Sequence, residues 1–161
     1  MGLNSTPASW TAGEIPTAAK MNTEIRDAAT GIQAGWTAYT PVWNALTTAP
    51  VIGNGTIAGS YYRVGKTVHY RIRIVAGSTT TYGTGTYTFT LPVTPNPVGN
   101  DVIGQAVLLD SSAPTRVGRT GYLSSGVIIL VSELGAIVTG AVPYTWAVSD
   151  SISVAGTYEA A

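Results

Sequence analysis

Most of the chain, from Trp36 onward, alternates apolar and polar side chains with a period of two. The clearest stretch places Val68, Tyr70, Ile72 and Ile74 on one face and His69, Arg71 and Arg73 on the other. Tyr87, Phe89 and Leu91 alternate with threonines in the same way. Because successive side chains of a strand point to opposite faces of a sheet, this pattern predicts half-buried β-strands.

Two further runs, residues 102–109 and 127–131, are apolar on both faces. Such runs are typical of central strands or of strands covered by a neighbouring element. Turn signals built from glycine, asparagine, proline and serine separate seven or eight strands of this kind, and no helix-length periodicity interrupts them. This spacing predicts an all-β fold, an antiparallel β-sandwich of jelly-roll type.

The first 35 residues follow a helical pattern instead. An apolar stripe with alternating spacings of three and four residues is formed by Ala18, Met21, Ile25, Ala28 and Ile32. Pro16 suits the first turn of a helix, and two glycines near residues 31–35 favour its end. We therefore predict an N-terminal anchor, residues 1–35, with one helix over about 16–30, followed by a β-sandwich domain, residues 36–161.

The residues ahead of this helix carry a second local signal. Thr11 and Glu14 have the spacing of a capping box, and Trp10 and Ile15 flank them at the positions of a hydrophobic staple. A helix of about 15 residues is marginal alone, so its stripe requires a partner. Three partners are compatible with the stripe. They are the β-domain of the same chain, the same helix of other subunits in a parallel bundle, and the surface of a larger assembly. Trp10 and the stripe residues are therefore the candidate assembly residues.

Composition and charge narrow the class of partner. The 161 residues include eight Lys and Arg against eight Asp and Glu, so the formal charge is zero, and there is no cysteine. Nucleic-acid binding is not expected, because it requires a surplus of basic residues. The most apolar run, residues 127–131, is much shorter than the roughly 20 residues of a membrane-spanning helix, so no membrane partner is expected.

Candidate chemistry is sparse. His69 is the only histidine, no His, Asp or Glu set has metal-ligand spacing, and no nucleophile-elbow motif occurs. A pair of distant carboxylates could in principle serve a glycosidase, but acidic residues such as Asp101, Asp110 and Asp150 are more simply turn formers. The glycine-rich segments lie between strands, as hairpin turns do. We therefore predict a protein that is not an enzyme, with no catalytic residues, metal ligands or cofactor.

Aromatic residues are the one class that could carry ligand binding. There are four Trp and nine Tyr but one Phe, a bias toward rings with a polar group. Trp36, Tyr39 and Trp43 cluster where the β-domain begins, and Tyr144 and Trp146 precede the last strand. Two interpretations stay open for these rings. They fill the core or a subunit interface, or Trp43, Tyr144 and Trp146 are exposed and stack on sugar rings.

Several segments resemble bacteriophage and prophage virion proteins, especially those of phages that infect actinobacteria. The stretch 10–27 has a tryptophan, then Gly13-Glu14, an A-A-x-M-N element at 18–22 and Ile25-Arg26-Asp27, as many of those proteins have near their start. Further segments of the same pattern follow in order at 36–43, 52–56, 62–68, 89–92 and 156–159. The order of these motifs carries the resemblance, which covers essentially the whole chain.

The resemblance implies a non-enzymatic structural role on a phage particle, as a capsid decoration or head fibre or as a minor tail protein. Its implied partners are other copies in a homotrimer and other virion proteins, and its implied location is the virion, after synthesis in the bacterial cytoplasm. A carbohydrate-binding module that contacts host surface glycans is the alternative function. An enzyme of an unrecognised type is a third and more remote one.

Overall fold

The computed structural model describes residues 8–33, 35–96, 101–132 and 134–161. The helix, α1, consists of α-helical Ala18–Met21, a π-helical turn Asn22–Arg26 and α-helical Asp27–Ile32. The strands are β1 Thr37–Tyr39, β2 Trp43–Ala45, β3 Thr56–Val64, β4 Thr67–Val75, β5 Tyr87–Thr90, β6 Val102–Asp110, β7 Thr115–Ser124, β8 Val127–Val131 and β9 Ser151–Glu159. The prediction of an all-β, antiparallel fold preceded by a short helical segment is confirmed.

The nine strands form one continuous sheet in the order β1-β3-β4-β9-β6-β7-β8-β5-β2. Its two edge strands, β1 and β2, are consecutive in the sequence and only residues 40–42 separate them. Four peptide units span at most roughly 15 Å, whereas nine flat strands spaced by about 4.8 Å would span about 38 Å. The sheet must therefore curl until its edges approach each other, so one curled sheet encloses the core where two separate sheets were expected.

The link between the edges is fixed on both sides. Pro41 is buried at the bend, where its missing N–H leaves no ladder hydrogen bond unmade. The Thr90 N–H donates to the Val42 carbonyl at 3.1 Å, and the Val42 N–H donates to the Thr90 hydroxyl at 2.8 Å. The segment Thr37–Ala45 is thus a single bent strand that pairs with β3 at one end and β5 at the other.

One core fills the curl and joins its two halves. Its fully buried large side chains are Tyr70, Tyr87, Phe89, Ile72, Leu108, Ile128, Leu130, Ile152, Val68, Val138 and Val154. Tyr158, on β9, reaches the segment after β5, where its hydroxyl donates to the Val93 carbonyl at 2.8 Å. Burial raises the pKa of Tyr158 to about 12, because the ionised phenol would be poorly solvated there. The alternating apolar residues of the sequence are the residues that form this core.

A row of glycines lies under the buried Tyr70 ring and lets the sheet bend there. In register, Tyr70 on β4 lies beside Gly156 on β9, then Gly104 on β6 and Gly121 on β7. The Tyr70 hydroxyl extends over this row and donates to the Ile103 carbonyl at 3.3 Å, where β6 carries an irregularity in its register. The Ile103 carbonyl oxygen occupies the space that a Cβ atom would take at Gly156, and the Ala155 carbonyl oxygen and the Tyr70 hydroxyl occupy that space at Gly104. At Gly121 an added Cβ would press on the Ile128 side chain.

We expect Gly156→Ala to destabilise the domain by about 3 kcal/mol or more, because its Cβ would overlap the Ile103 carbonyl oxygen and only backbone could move aside. Gly118→Ala is the matched control, since nothing lies within 4 Å of its added Cβ. That control should leave stability unchanged or raise it by up to about 1 kcal/mol. Urea unfolding measures both variants, and equal stability of the two would contradict the packing of this row.

Candidate functional site

The N-terminal helix begins at Ala18, two residues later than predicted, and ends at Ile32, two residues later. Thr17 is extended and caps it, because its hydroxyl accepts the Lys20 N–H at 3.3 Å. In the middle turn the Asp27 N–H donates to the Asn22 carbonyl, five residues back. The strand-like backbone of Thr17 thus excludes Pro16 from the helix.

The turn ahead of the helix is held by Lys20. Its ammonium group lies 2.6 Å from a Glu14 carboxylate oxygen and 4.4 Å from the centre of the Trp10 ring. The Lys20 contact, together with a hydrogen bond from the Thr11 N–H at 3.2 Å, holds the pKa of Glu14 below its ordinary value. The predicted contact between Thr11 and Glu14 is therefore present, but it closes a turn and no helix follows directly from it.

The apolar stripe of α1 is largely exposed. Met21 is 41% exposed, Ile25 is 55% exposed and Ile32 is 59% exposed, and Ala18 is exposed as well. Only Ala28 is half-buried. Among the described residues the helix has no extensive packing against any strand. Of the partners compatible with the stripe, the β-domain of the same chain is therefore not the one that covers it in this structure.

The prediction that Trp43 and Trp146 are exposed and stack on sugar rings is wrong. Trp43 is 8% exposed and Trp146 is 6% exposed, and both belong to the core. Trp43 packs edge-on against Tyr87 with ring centroids 5.1 Å apart, and the Trp146 indole N–H donates to the Thr139 carbonyl at 2.9 Å. These two rings fill the core and offer no open face for a ligand. This agrees with the alternative interpretation, in which the rings fill the core or a subunit interface.

Tyr144 is half-buried beside Trp146, with ring centroids 4.9 Å apart. Burial raises the pKa of its phenol above the ordinary value, and the nearby Asp150 carboxylate adds to the effect. The Asp150 carboxylate is itself buried and accepts hydrogen bonds from Ser111 and from the Ala147 N–H. The Asp150 carboxylate thus links the turn at Ser111 to the turn at Ala147. Tyr144 packs against the core beside it and is a packing residue as well.

A groove crosses the outer face of five neighbouring strands, β3, β4, β9, β6 and β7, and encloses about 1120 Å³. Two register rows form its floor. The first row is Ser60, Arg71, Ala155, Gln105 and Thr120, and the second is Ala58, Arg73, Ser153, Val107 and Gly118. Ser132 and Leu134, which follow β8, line it as well. Most of these side chains are small, so the arginine side chains stand above the floor.

One exposed aromatic ring lies beside the groove, in contact with Arg71. Trp36 is 46% exposed, and the Arg71 guanidinium lies 4.5 Å from the centre of its ring. The Trp36 ring meets Tyr62 edge-on at 4.9 Å, and Tyr62 stacks on His69 at 4.5 Å. A Thr157 hydroxyl holds the His69 ring through Nδ1 at 2.9 Å. These contacts fix Trp36 at the Arg71 end of the groove.

Positive charge is concentrated on the strands and negative charge at their ends. None of the arginines at 63, 71, 73, 116 and 119 forms an ion pair with a carboxylate that the structure describes. Arg119 also lines the groove, although by register it shares the inner face of the sheet with Ala106. Arg71 and Arg73 are the two lining arginines whose register places them on the outer face.

Over the described ranges, no three His, Asp or Glu side chains come close enough together to hold a metal ion. No helix in the same ranges has the length and apolar character that crossing a membrane requires. No protein-family model, curated protein or solved structure matches this chain. What the chain does is therefore inferred from its own residues and their geometry.

The groove was not predicted, although one signal for it lay in the sequence. The alternation that sets His69, Arg71 and Arg73 on one face of β4 already placed two cations on an outer surface. Trp36 was grouped with Trp43, from which it differs by lying outside the bent strand and on the opposite surface. Gln105 and Ser60 come from distant strands, and only the strand register brings them beside Arg71.

We expect Trp146→Ala to destabilise the domain by about 3–5 kcal/mol, because it removes a buried ring and leaves a cavity. Trp36→Ala is the matched variant on the surface and should lower stability by about 1 kcal/mol or less. Urea unfolding followed by circular dichroism measures both free energies. Wild-type stability of the Trp146 variant would contradict the core role of this ring and would favour its role as a ligand contact.

Proposed function

We propose that this chain is a non-enzymatic structural protein of a bacteriophage particle, with the N-terminal segment as its anchor and the β-domain displayed. The observation that carries the proposal is the apolar stripe of α1, which is exposed along Met21, Ile25 and Ile32. A short helix with an open apolar face gains its stability from the surface on which it docks. The motif order from Trp10 to Asp27 supports a phage particle as the source of that surface.

The organisation of the anchor supports the same role. The Lys20 contacts with Glu14 and Trp10 hold the preceding turn against the first turn of the helix. Trp10 stays half exposed and packs on Lys20, which precedes Met21 of the stripe in the sequence. Contacts that are already formed before binding reduce the conformational entropy that the segment loses when it docks. The anchor is therefore suited to binding a partner groove as one unit.

The position on the particle is a choice between two sites. A capsid decoration or head fibre would place many copies on the shell, and a minor tail protein would place a few copies on the tail. The charge-poor β-domain, with its core enclosed by one curled sheet, suits either site. Copy number per particle separates these two forms of the proposal.

We expect Ile25→Glu to abolish incorporation into particles, because it places a carboxylate in the centre of the exposed stripe. Asn22→Glu adds the same charge one turn earlier on the polar side of the helix, and it should incorporate at the wild-type level. Quantitative mass spectrometry of purified particles measures both. Wild-type incorporation of the Ile25 variant would refute the anchor role of the stripe.

We also propose that the chain is a homotrimer held mainly through its β-domains, because the stripe of each helix is given to the particle surface. Exposed apolar side chains outside the helix, such as Val102 and Leu46, are suited to covering by neighbouring β-domains. The stripe is short and contains two alanines, so the β-domains supply most of the contact.

We expect a mass of three chains for the full-length protein at micromolar concentration, measured by sedimentation equilibrium or native mass spectrometry. The variant Val102→Glu should shift the population toward smaller species, because it charges an exposed apolar position without entering the core. A stable monomer of the full-length chain would mean that its exposed apolar residues meet no second copy.

A further inference from the structure

We propose that the groove on the outer face of the sheet binds an acidic saccharide chain. Trp36, which lies beside the groove against Arg71, would pack on the apolar face of one sugar ring. Arg71 and Arg73, which line the groove, would pair with the acidic groups of the chain. Ser60, Gln105 and Thr120 would hydrogen-bond its hydroxyls. This site belongs to the β-domain and does not depend on how the anchor is used.

The shape of the groove favours an extended ligand. Its volume of about 1120 Å³ exceeds the roughly 300–1,000 Å³ of sites for single small molecules. The floor consists of small residues such as Ala155, Ser153 and Gly118, which leave room for rings lying flat on the sheet. It crosses four inter-strand spacings, a distance of about 19 Å. A chain of several sugar units fits that length.

The charges of the groove favour an anionic ligand. Arg73 has no hydrogen bond or ion pair with any residue that the structure describes. Arg71 uses Nε to bind the Ser60 hydroxyl at 2.6 Å, which leaves its terminal nitrogens without a described partner. The described lining contains no carboxylate, and Glu133, between Ser132 and Leu134 in sequence, lies outside the described residues. Two guanidinium groups on adjacent register rows, with no carboxylate partner among the described residues, suit carboxylate or phosphate groups.

The aromatic platform favours a sugar over a simple polyanion. The Trp36 ring is fixed by Tyr62 and by the Arg71 guanidinium, yet half of it stays exposed. A pyranose ring has an apolar C–H face that packs on such a ring and hydroxyls that reach polar groups beside it. Gln105 and Thr120 supply those polar groups on the same register row as Arg71.

The test titrates the full-length protein with two acidic probes by calorimetry. One is a galacturonic acid oligosaccharide, which carries carboxylates, and the other is a phosphomannan oligosaccharide, which carries phosphates. At least one should bind, and added salt should weaken the binding. The methyl-esterified galacturonic acid oligosaccharide keeps the rings without the charge, so it should bind about tenfold more weakly than the free acid if carboxylates are the preferred group.

Variants connect the binding to the groove. Arg73→Gln removes a cation without a described partner, and Trp36→Ala removes the platform, so each should weaken the bound acidic probe about tenfold. Lys66→Gln is the matched control, because it removes one positive charge at the β3–β4 turn, outside the groove. The control should bind within about twofold of the wild type.

Four results would overturn the proposal. If neither acidic probe binds the wild-type protein, acidic saccharides are excluded as the ligand. Equal binding of polyglutamate would assign the surface to polyanions in general, and equal binding of neutral oligosaccharides would remove the role of the arginines. Wild-type affinity in the folded Arg73 and Trp36 variants would place the binding elsewhere on the molecule.

Discussion

The short link between β1 and β2 is the constraint on which the rest of the structure depends. Three residues, with Pro41 at their centre, connect strands that lie at opposite edges of a nine-stranded sheet. The curl that this link imposes gives the sheet an inner face, which becomes the core, and an outer face. The glycine row beneath Tyr70 allows the bend, and Tyr158 joins the halves through Val93. Within the part of the β-domain that the structure describes, this closure separates the core side chains from the surface side chains.

Closure of the sheet also separates two surfaces that bear on function, the apolar stripe of α1 and the outer face of the sheet. The helix lies outside the core and exposes its apolar stripe, and the proposed anchor role assigns that stripe to a partner molecule. The outer face has small residues on its floor and Arg71, Arg73 and Trp36 above it. The two surfaces use different chemistry, since one is aliphatic and the other is cationic and aromatic. An anchored protein that presents a recognition face is consistent with both.

The sequence predicted what depends on neighbours along the chain and missed what depends on register. Period-two alternation identified the strand interiors, and the stripe spacing identified the helix within two residues at each end, with Thr17 setting its start. The exposure of the stripe could not be predicted, because it depends on where the helix lies relative to the sheet. Trp43 and Trp146 were open to two interpretations, since local sequence does not reveal which rings face the closed interior. The groove needs the alignment of Ser60, Arg71 and Gln105 from three distant strands, which no local pattern contains.

The central claim is that the helix attaches the chain to a particle and the β-domain extends from it. A cryo-electron microscopy map of purified phage particles that contain this chain tests the claim most directly. We expect a three-fold cluster of β-domains on the outside of the particle, joined to its surface through helix density at Ala18–Ile32. A map in which the β-domain is seated in the shell or tail while the helix points into solvent would contradict it, as would particles that carry no density for the chain.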